Sequence, residues 1–496
     1  MYSRLASPPP PVKDGSANDS PAVRVMFKAK RSWQVVVAAH ACLGFACTDS
    51  PGSDSSATCM DSGSGEANRD SSAVDSVASD SRTSDSFESD ARMVDGGGTA
   101  QSPLESTFFC HNWNNVADFP SVPFGGMRLW DTKTTWAELE TADGTYDWTA
   151  LDAWLALAKS KGKDVLYTFG RTPKWASLRP TEACSQGDVG CAAPPSDIAS
   201  GDELWKTFVT ALVKHSLGSA TARIQYYEIW NEPNNVGAFW SGTYAQMVTM
   251  AKDAYAIIHA LDPSASVLGP SPDGGTTALP WLTSYYAAGG SVPQDIVAYH
   301  AYLPGTNREP IGMPAAIDGI EALLSTYHVD KEPFWFTEGS WGNDTTDGPA
   351  DLTDDEEIAF LAQQYIFLWS KGAARYYWYS WDNVGTGPEG QGFGTLWDAT
   401  GGIHPAGTAY GLLYEWLLGS THPASPCAQA SDLTWTCALT LSTGTSAEIV
   451  WNPSASIAWA ATGFATYRTL DDGTVSPISS DSIGVGSKPI LVVAGP

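Results

Sequence analysis

The chain has 496 residues, of which 43% are hydrophobic and 11% aromatic, enough for a large buried core and too apolar for global disorder. With 27 Lys and Arg against 55 Asp and Glu the net charge is -28, which repels phosphate backbones and argues against a nucleic-acid partner. No apolar run reaches the roughly 18 residues a membrane span needs. The excess of Trp (21) and Tyr (19) supplies flat apolar faces with polar edges, a composition that suits sugar rings.

Residues 1–25 are rich in Pro, Ser and Asp. From Met26 the basic residues Lys28, Lys30 and Arg31 precede the apolar run Trp33–Cys47. A basic patch followed by a short apolar core reads as a secretory leader over 1–47, with Met26 as its start. Gly44-Phe45-Ala46-Cys47 is loosely similar to a bacterial lipoprotein cleavage site, so lipid attachment at Cys47 and simple cleavage both stay open. Residues 48–104 are Ser-rich, with Asp at every fifth position from Asp70 to Asp95. Such a segment has too little apolar area to offset the entropy of ordering it, and is expected to be a disordered, solvated tether. An exported or cell-surface protein follows, with or without a lipid anchor. Cys184 with Cys191, and Cys427 with Cys437, enclose short loops and are expected as disulfides in an oxidising compartment. Neither pair has CxxC spacing or a His nearby, so zinc is not expected.

Over 105–419 apolar strands alternate with amphipathic helices. The strands are predicted at Thr107–Asn112, Met127–Asp131, Asp164–Phe169, Ile224–Trp230, Ser266–Pro270, Ile296–Tyr302, Phe334–Gly339 and Tyr376–Trp381. Helices are predicted at Leu151–Lys161, Leu204–His215, Tyr244–Leu261, Ile317–Tyr327, Glu356–Lys371 and His404–Gly419, several ending at Gly or Pro as helices do. Eight strand–helix units predict an α/β chain closed as a (β/α)8 barrel. A doubly wound open sheet is the alternative, but His111-Asn112-Trp113-Asn114-Asn115 after the first strand is unlike a phosphate-binding Gly loop. Over 420–496, segments at Thr434–Leu441, Ala447–Trp451, Phe464–Leu470 and Pro489–Val493 predict a small antiparallel, sandwich-like β domain, expected to be accessory.

Barrel chemistry sits at the C-terminal ends of strands. The fourth predicted strand runs into Trp230-Asn231-Glu232-Pro233 and the seventh into Thr337-Glu338-Gly339. Each Glu follows an apolar run, where a charge buried among barrel layers would be costly. Three barrel units separate them, which brings both carboxylates to one pocket. Two carboxylates flanking a glycosidic bond are what sugar hydrolysis requires, and the closeness of two like charges raises one pKa so that an acid stays protonated. Of the other charges, Asp131 and Glu138, on the loop after the second strand, are candidates for substrate binding but read first as solvated loop charges, and Glu228 as a partner of Arg223 or another base. Trp175, Trp240 and Trp341, just past strand ends, are candidates for either sugar stacking or core packing.

These two motifs resemble the signatures of clan A of the glycoside hydrolases, the retaining (β/α)8 enzymes. Arg128-Leu129-Trp130-Asp131, Trp136-Ala137, Gly144-Thr145-Tyr146-Asp147-Trp148 and Thr172-Pro173-Lys174-Trp175-Ala176 are most similar to family 39 and its cellulase-like members. The resemblance implies Glu232 as acid/base and Glu338 as nucleophile. It also implies Asn231 as a donor to the sugar 2-hydroxyl and Arg128 as the group that orients the nucleophile. His300 and Tyr302 would touch the nucleophile or the sugar, and Trp378 or Trp381 would form a subsite platform. A β-linked poly- or oligosaccharide is the expected substrate, with no cofactor, no metal and a monomeric enzyme. A carbohydrate-binding surface protein without catalysis is the alternative from another class.

Overall fold

The computed structural model describes residues 102–302, 310–330, 332–342, 352–382 and 394–495. The expected leader, Cys47 and nearly all of the tether lie outside the described residues. Eight parallel strands form one sheet: β1 (Phe109–Asn112), β2 (Gly126–Leu129), β3 (Asp164–Thr168), β4 (Tyr226–Glu228), β5 (Ser266–Leu268), β6 (Val297–His300), β7 (Phe334–Glu338) and β8 (Arg375–Tyr379). Their order is β5-β4-β3-β2-β1-β8-β7-β6. The two ends meet at a parallel bridge between Leu268 and Ile296, where the Gly269 N–H donates to the Ile296 carbonyl at 3.0 Å. The sheet is a nearly closed barrel, and the open-sheet alternative is set aside.

Around it lie α1 (Thr149–Lys161), α2 (Glu203–Gly218), α3 (Tyr244–Leu261), α4 (Ala278–Tyr285), α5 (Met313–Thr326), α6 (Asp354–Ser370) and α7 (Pro405–Leu417). Capping boxes start two of them, Thr243 with Gln246 and Thr353 with Glu356, each satisfying two otherwise orphaned backbone donors. α1 stops at Gly162, whose φ of 61° closes the last turn onto the Ala158 and Lys159 carbonyls. α4 is not legible in the sequence, because its eight residues give too short a period to stand out.

Successive side chains of a strand point to opposite faces, so alternate residues fill the barrel in levels. Lowest is Arg375, whose guanidinium lies over Trp335 (4.3 Å) and Tyr226 (4.6 Å) and bonds Asp164 at 2.8 Å. Next comes an apolar level with Cys110, Leu166, Leu268, Ala298 and Tyr377. Two residues further along their strands stand Asn112, Arg128, Thr168, Glu228 and His300, with Glu338 opposite His300 across a register shift. This uppermost level is polar, buried and at the C-terminal ends of the strands.

Downstream, a six-stranded antiparallel sheet joins β9 (Cys427–Gln429), β10 (Trp435–Thr440), β11 (Ser446–Trp451), β13 (Phe464–Arg468), β14 (Val475–Pro477) and β16 (Ile490–Ala494) in the order β9-β10-β11-β16-β13-β14. Against it lies the pair β12 (Ile457–Ala460) and β15 (Ser482–Val485). The four strands expected here are present. β9, β12, β14 and β15, short and alternating between exposed and half-buried residues, were not expected. Both disulfides form: Cys427 and Cys437 are directly opposed on β9 and β10 with Cα atoms 4.0 Å apart, and Cys184 and Cys191 are 5.9 Å apart.

α6 binds the two parts together. Ile358 to Trp369 are buried all round because one side faces the barrel and the other meets the sheet. There the Phe367 ring lies 4.9 Å from Trp435 and 5.4 Å from Trp451. Barrel and sheet therefore share one hydrophobic core.

Candidate active site

The centre of the polar level is Arg128, on β2 and fully buried. Its Nε and Nη2 donate to Glu228 Oε2 at 2.9 and 2.7 Å, its Nη1 to Glu338 Oε2 at 2.8 Å, and its Nη2 to Asn231 Oδ1 at 2.6 Å. Burial lowers the pKa of the guanidinium; the carboxylates of Glu228 and Glu338 more than offset that and hold it raised. Glu228, expected beside Arg223 or another base, is the second ligand of Arg128 and also accepts from Thr168 Oγ1 at 2.8 Å. Arg223 instead pairs with Asp262 at 3.1 Å. One guanidinium thus fixes three side chains from β4, the β4 loop and β7.

Glu338 ends β7. Besides Arg128 it accepts from Tyr302 Oη at 2.9 Å through its other oxygen. Burial raises its pKa, while His300 and Arg128 hold the rise back. Glu232 lies four residues beyond the end of β4, at a φ of 43°, a conformation costly for a residue with a Cβ. Its N–H is anchored on the Ser271 carbonyl at 2.9 Å. Its carboxyl receives Asn235 Nδ2 at 2.9 Å and His300 Nδ1 at 3.0 Å. Burial first, then the charge of Asp273, pushes it up from 4.5 to about 7. Asp273 is itself held by Asn234, whose Nδ2 donates to it at 2.6 Å.

The donor sets separate the two acids. Glu338 has a cation and a phenol; Glu232 has an amide and a ring that burial keeps neutral. The Arg128 donor 3.5 Å from His300 Nε2 makes Nε2 the acceptor, so Nδ1 carries the hydrogen toward Glu232. A carboxylate facing Arg128 is stabilised as an anion, and one facing neutral donors in a dry pocket keeps its proton. Burial raises both carboxyls, and the neighbouring cation bears on Glu338 by direct contact. Among the described residues, Glu232, His300 and Glu338 are the one group of three potential metal ligands whose atoms all lie within 4.8 Å of one another. The Arg128 charge beside Glu338 and His300 opposes a cation there.

The expected residues divide. Arg128, Asn231, Glu232, His300, Tyr302 and Glu338 come together. Trp378 and Trp381 do not form a platform in this structure: both are fully buried. Trp378 donates to the Gly394 carbonyl at 2.7 Å and stacks on Tyr365, and Trp381 stacks on Trp397. The reason is strand parity. Arg375, Tyr377 and Tyr379 point into the barrel, so Trp378, between them, points out into the layer beneath the helices. Trp240 and Trp341 are core residues, whereas Trp175 is half-buried and donates to the Glu140 carbonyl at 3.0 Å. One pocket residue was missed and one was read first as solvated. Tyr379 donates to Asp131 Oδ2 at 2.8 Å, and the Glu232 and Glu338 carboxylates act on it. Asp131, expected first to be a solvated loop charge, is drawn into that pocket and burial raises its pKa. Period-two counting along β8 from Arg375 would have found Tyr379. Glu138 caps the turn Trp136–Leu139, accepting from the Thr135 N–H at 3.0 Å.

Residues 201–410 match a family model described as glycosyl hydrolase catalytic core. A beta-xylosidase of Geobacillus stearothermophilus is 32% identical over 119 residues, 23% of this chain and 22% of that one. The chain thus spans about a fifth of the length of the curated relatives it matches. The solved glucosidase of Croceicoccus marinus shares the fold with a TM-score of 0.55 at 15% identity, over 80% of this chain and 98% of that one. A family 39 glycoside hydrolase from Bacteroides cellulosilyticus does so with a TM-score of 0.55 at 18% identity, over 75% and 76%. Together these findings show a chain similar to glycoside hydrolases, in sequence over 201–410 and in fold over most of its length. Two disulfides fit an extracellular protein, and among the described residues no helix is long and apolar enough to cross a membrane.

Proposed function

We propose that the chain is an exported retaining glycoside hydrolase acting on β-linked glycans, xylosides first, by double displacement, with Glu232 as acid/base and Glu338 as nucleophile. The observation that carries this is the carboxyl pair itself: one oxygen of each, with His300 between them, within 4.8 Å. Retaining enzymes hold their two carboxyl groups about 5–5.5 Å apart, and inverting ones leave room for a water at about 6.5–9.5 Å. In the first step Glu338 attacks the anomeric carbon while Glu232 gives its proton to the leaving oxygen. In the second Glu232 takes a proton from water, which displaces Glu338 with the configuration kept. Asn231, with Oδ1 turned to Arg128, presents its Nδ2 to the 2-hydroxyl. The matched beta-xylosidase supports xylose as the sugar. A leader over 1–47 and a tether over 48–104 would deliver the barrel outside the cell, anchored through Cys47 if that residue is lipidated.

The test is Glu338→Ala assayed on an aryl β-xyloside with and without sodium azide. Turnover should fall by at least about 10⁴-fold and return with azide, giving a glycosyl azide of inverted configuration. Wild-type-like turnover in this variant, or an inverted first product from the wild type by NMR, overturns the assignment.

A further inference from the structure

Asp131 lies two residues beyond the end of β2, where the backbone leaves the extended form at a φ of 53°. Strand alternation therefore no longer sets where its side chain points; Tyr379 does. Tyr379 is the last residue of β8 and shares a rung with Asn112 of β1, itself opposite Arg128 of β2. Its N–H donates at 3.0 Å to the carbonyl of Gly339, the residue directly after Glu338. Its Oη donates to Asp131 Oδ2 at 2.8 Å, which draws the carboxyl across β1 toward β8. Among the described residues this is the one hydrogen bond made by the Asp131 side chain, so Oδ1 is left to accept another. Tyr379 is buried and Asp131 half-buried, open enough for a ligand to reach.

Position in the barrel decides what that carboxyl meets. Around the sheet β8 is four strands from β4 in either direction, so Tyr379 stands opposite the strand that leads to Glu232. In the double displacement proposed above, the leaving oxygen lies at Glu232 and the anomeric carbon at Glu338. Asp131 and Tyr379 then face the far end of the same ring, where a pyranose carries its 4-hydroxyl. Burial raises the pKa of Asp131, and the Tyr379 hydrogen bond and the charges of Arg171 and Arg128 act against the rise. An ionised carboxylate only accepts hydrogen bonds. A free 4-hydroxyl supplies the hydrogen it needs. In a 1,4-linked chain, O4 of every internal sugar is an ether oxygen without one, and it would leave the carboxylate unpaired against a second acceptor. Resting on the hydrolase reading, we infer that Asp131, held by Tyr379, accepts the 4-hydroxyl of the sugar being cleaved and so restricts the enzyme to unlinked, non-reducing chain ends.

The experiment compares an aryl β-xyloside with its 4-deoxy and 4-O-methyl analogues on the full chain. For the wild type, kcat/KM should fall at least about 10³-fold on both analogues, because a site built around a hydroxyl rejects its loss strongly. Asp131→Ala should be slow on the parent yet treat parent and 4-deoxy analogue within about threefold of each other. Tyr379→Phe keeps the ring but frees Asp131, and should narrow the wild-type ratio at least about tenfold. Reduced xylotetraose should lose one xylose at a time from its non-reducing end. Wild-type turnover of the 4-deoxy xyloside at the parent's rate, or xylobiose and larger pieces as first products, overturns the inference. It would reduce the Asp131–Tyr379 bond to a tie between the β2 loop and β8, and leave the hydrolase reading standing. No turnover of the parent xyloside overturns both.

Discussion

Arg128 is held between two carboxylates, and its hold on each depends on the other. Glu228 touches no reacting atom in the proposed chemistry; it positions Arg128 and so Glu338. Replacing Glu228 with Gln leaves the guanidinium charge opposed by Glu338 alone, so Glu338 should ionise more readily. The acid limb of kcat/KM should move to lower pH, with a stability loss of about 3–5 kcal/mol from breaking a buried ion pair; an unmoved limb would reduce Glu228 to a packing role. Glu232 offers the opposite sign. Its pKa rises from 4.5 unfolded to about 7 folded, so the stability tied to its protonated form is fully present below 4.5 and lost as pH rises through 7. Glu232→Gln should therefore stabilise the chain increasingly between pH 4.5 and 7, by up to about 3 kcal/mol above it. Its activity should fall least on aryl leaving groups that need no proton. Equal Tm differences at pH 4 and pH 8 would count against the raised pKa.

At the scale of elements, α6 decides how the chain is divided. A helix buried on every side has no solvent face to fall back on, so the C-terminal sheet is part of the fold that carries the site. Trp451→Ala should cost about 3–5 kcal/mol through the cavity beside Phe367 while leaving KM unchanged. A changed KM with unchanged Tm would instead mark the sheet as a substrate-binding surface. The disulfide between β9 and β10 closes a short loop on the rim of the same sheet. Exchanging both Cys427 and Cys437 for Ser should cost about 2–3 kcal/mol, readable as a lower denaturant midpoint with unchanged slope.

For the whole molecule, the barrel is a sorting device. It sends apolar residues to its middle level and to the layer beneath the helices, and gathers a polar level at the C-terminal strand ends. There Arg128 and Glu338, far apart in sequence, come within 2.8 Å. Burial there raises the pKa of Glu232, and the Arg128 cation holds back the rise of Glu338. The basic limb of the rate profile should accordingly report Glu232 near 7: as pH rises past that value the proton is lost and kcat/KM falls. A basic limb above pH 9 would contradict that role.

Much was local and so legible. The strand–helix alternation, the Asn-Glu-Pro and Thr-Glu-Gly strand ends, and the two close cysteine pairs are written in neighbouring residues, where periodicity and spacing act directly. Which way a side chain points when one residue changes parity is not. Trp378, a platform only by the resemblance, lies in the core, while Tyr379, one step on, reaches the pocket. Glu228 and Asp131 show the same limit: a carboxylate's partner is whichever cation or hydroxyl the closed barrel brings opposite it, 100 or more residues away for Arg128 with Glu228 and Tyr379 with Asp131. The sequence by itself determined the order of elements and singled out the two strand-end glutamates, because both rest on short-range pattern. The ion network, the raised pKa of Glu232 and the burial of α6 were decided only by tertiary structure, because each arises from removing water between segments that the chain does not place side by side.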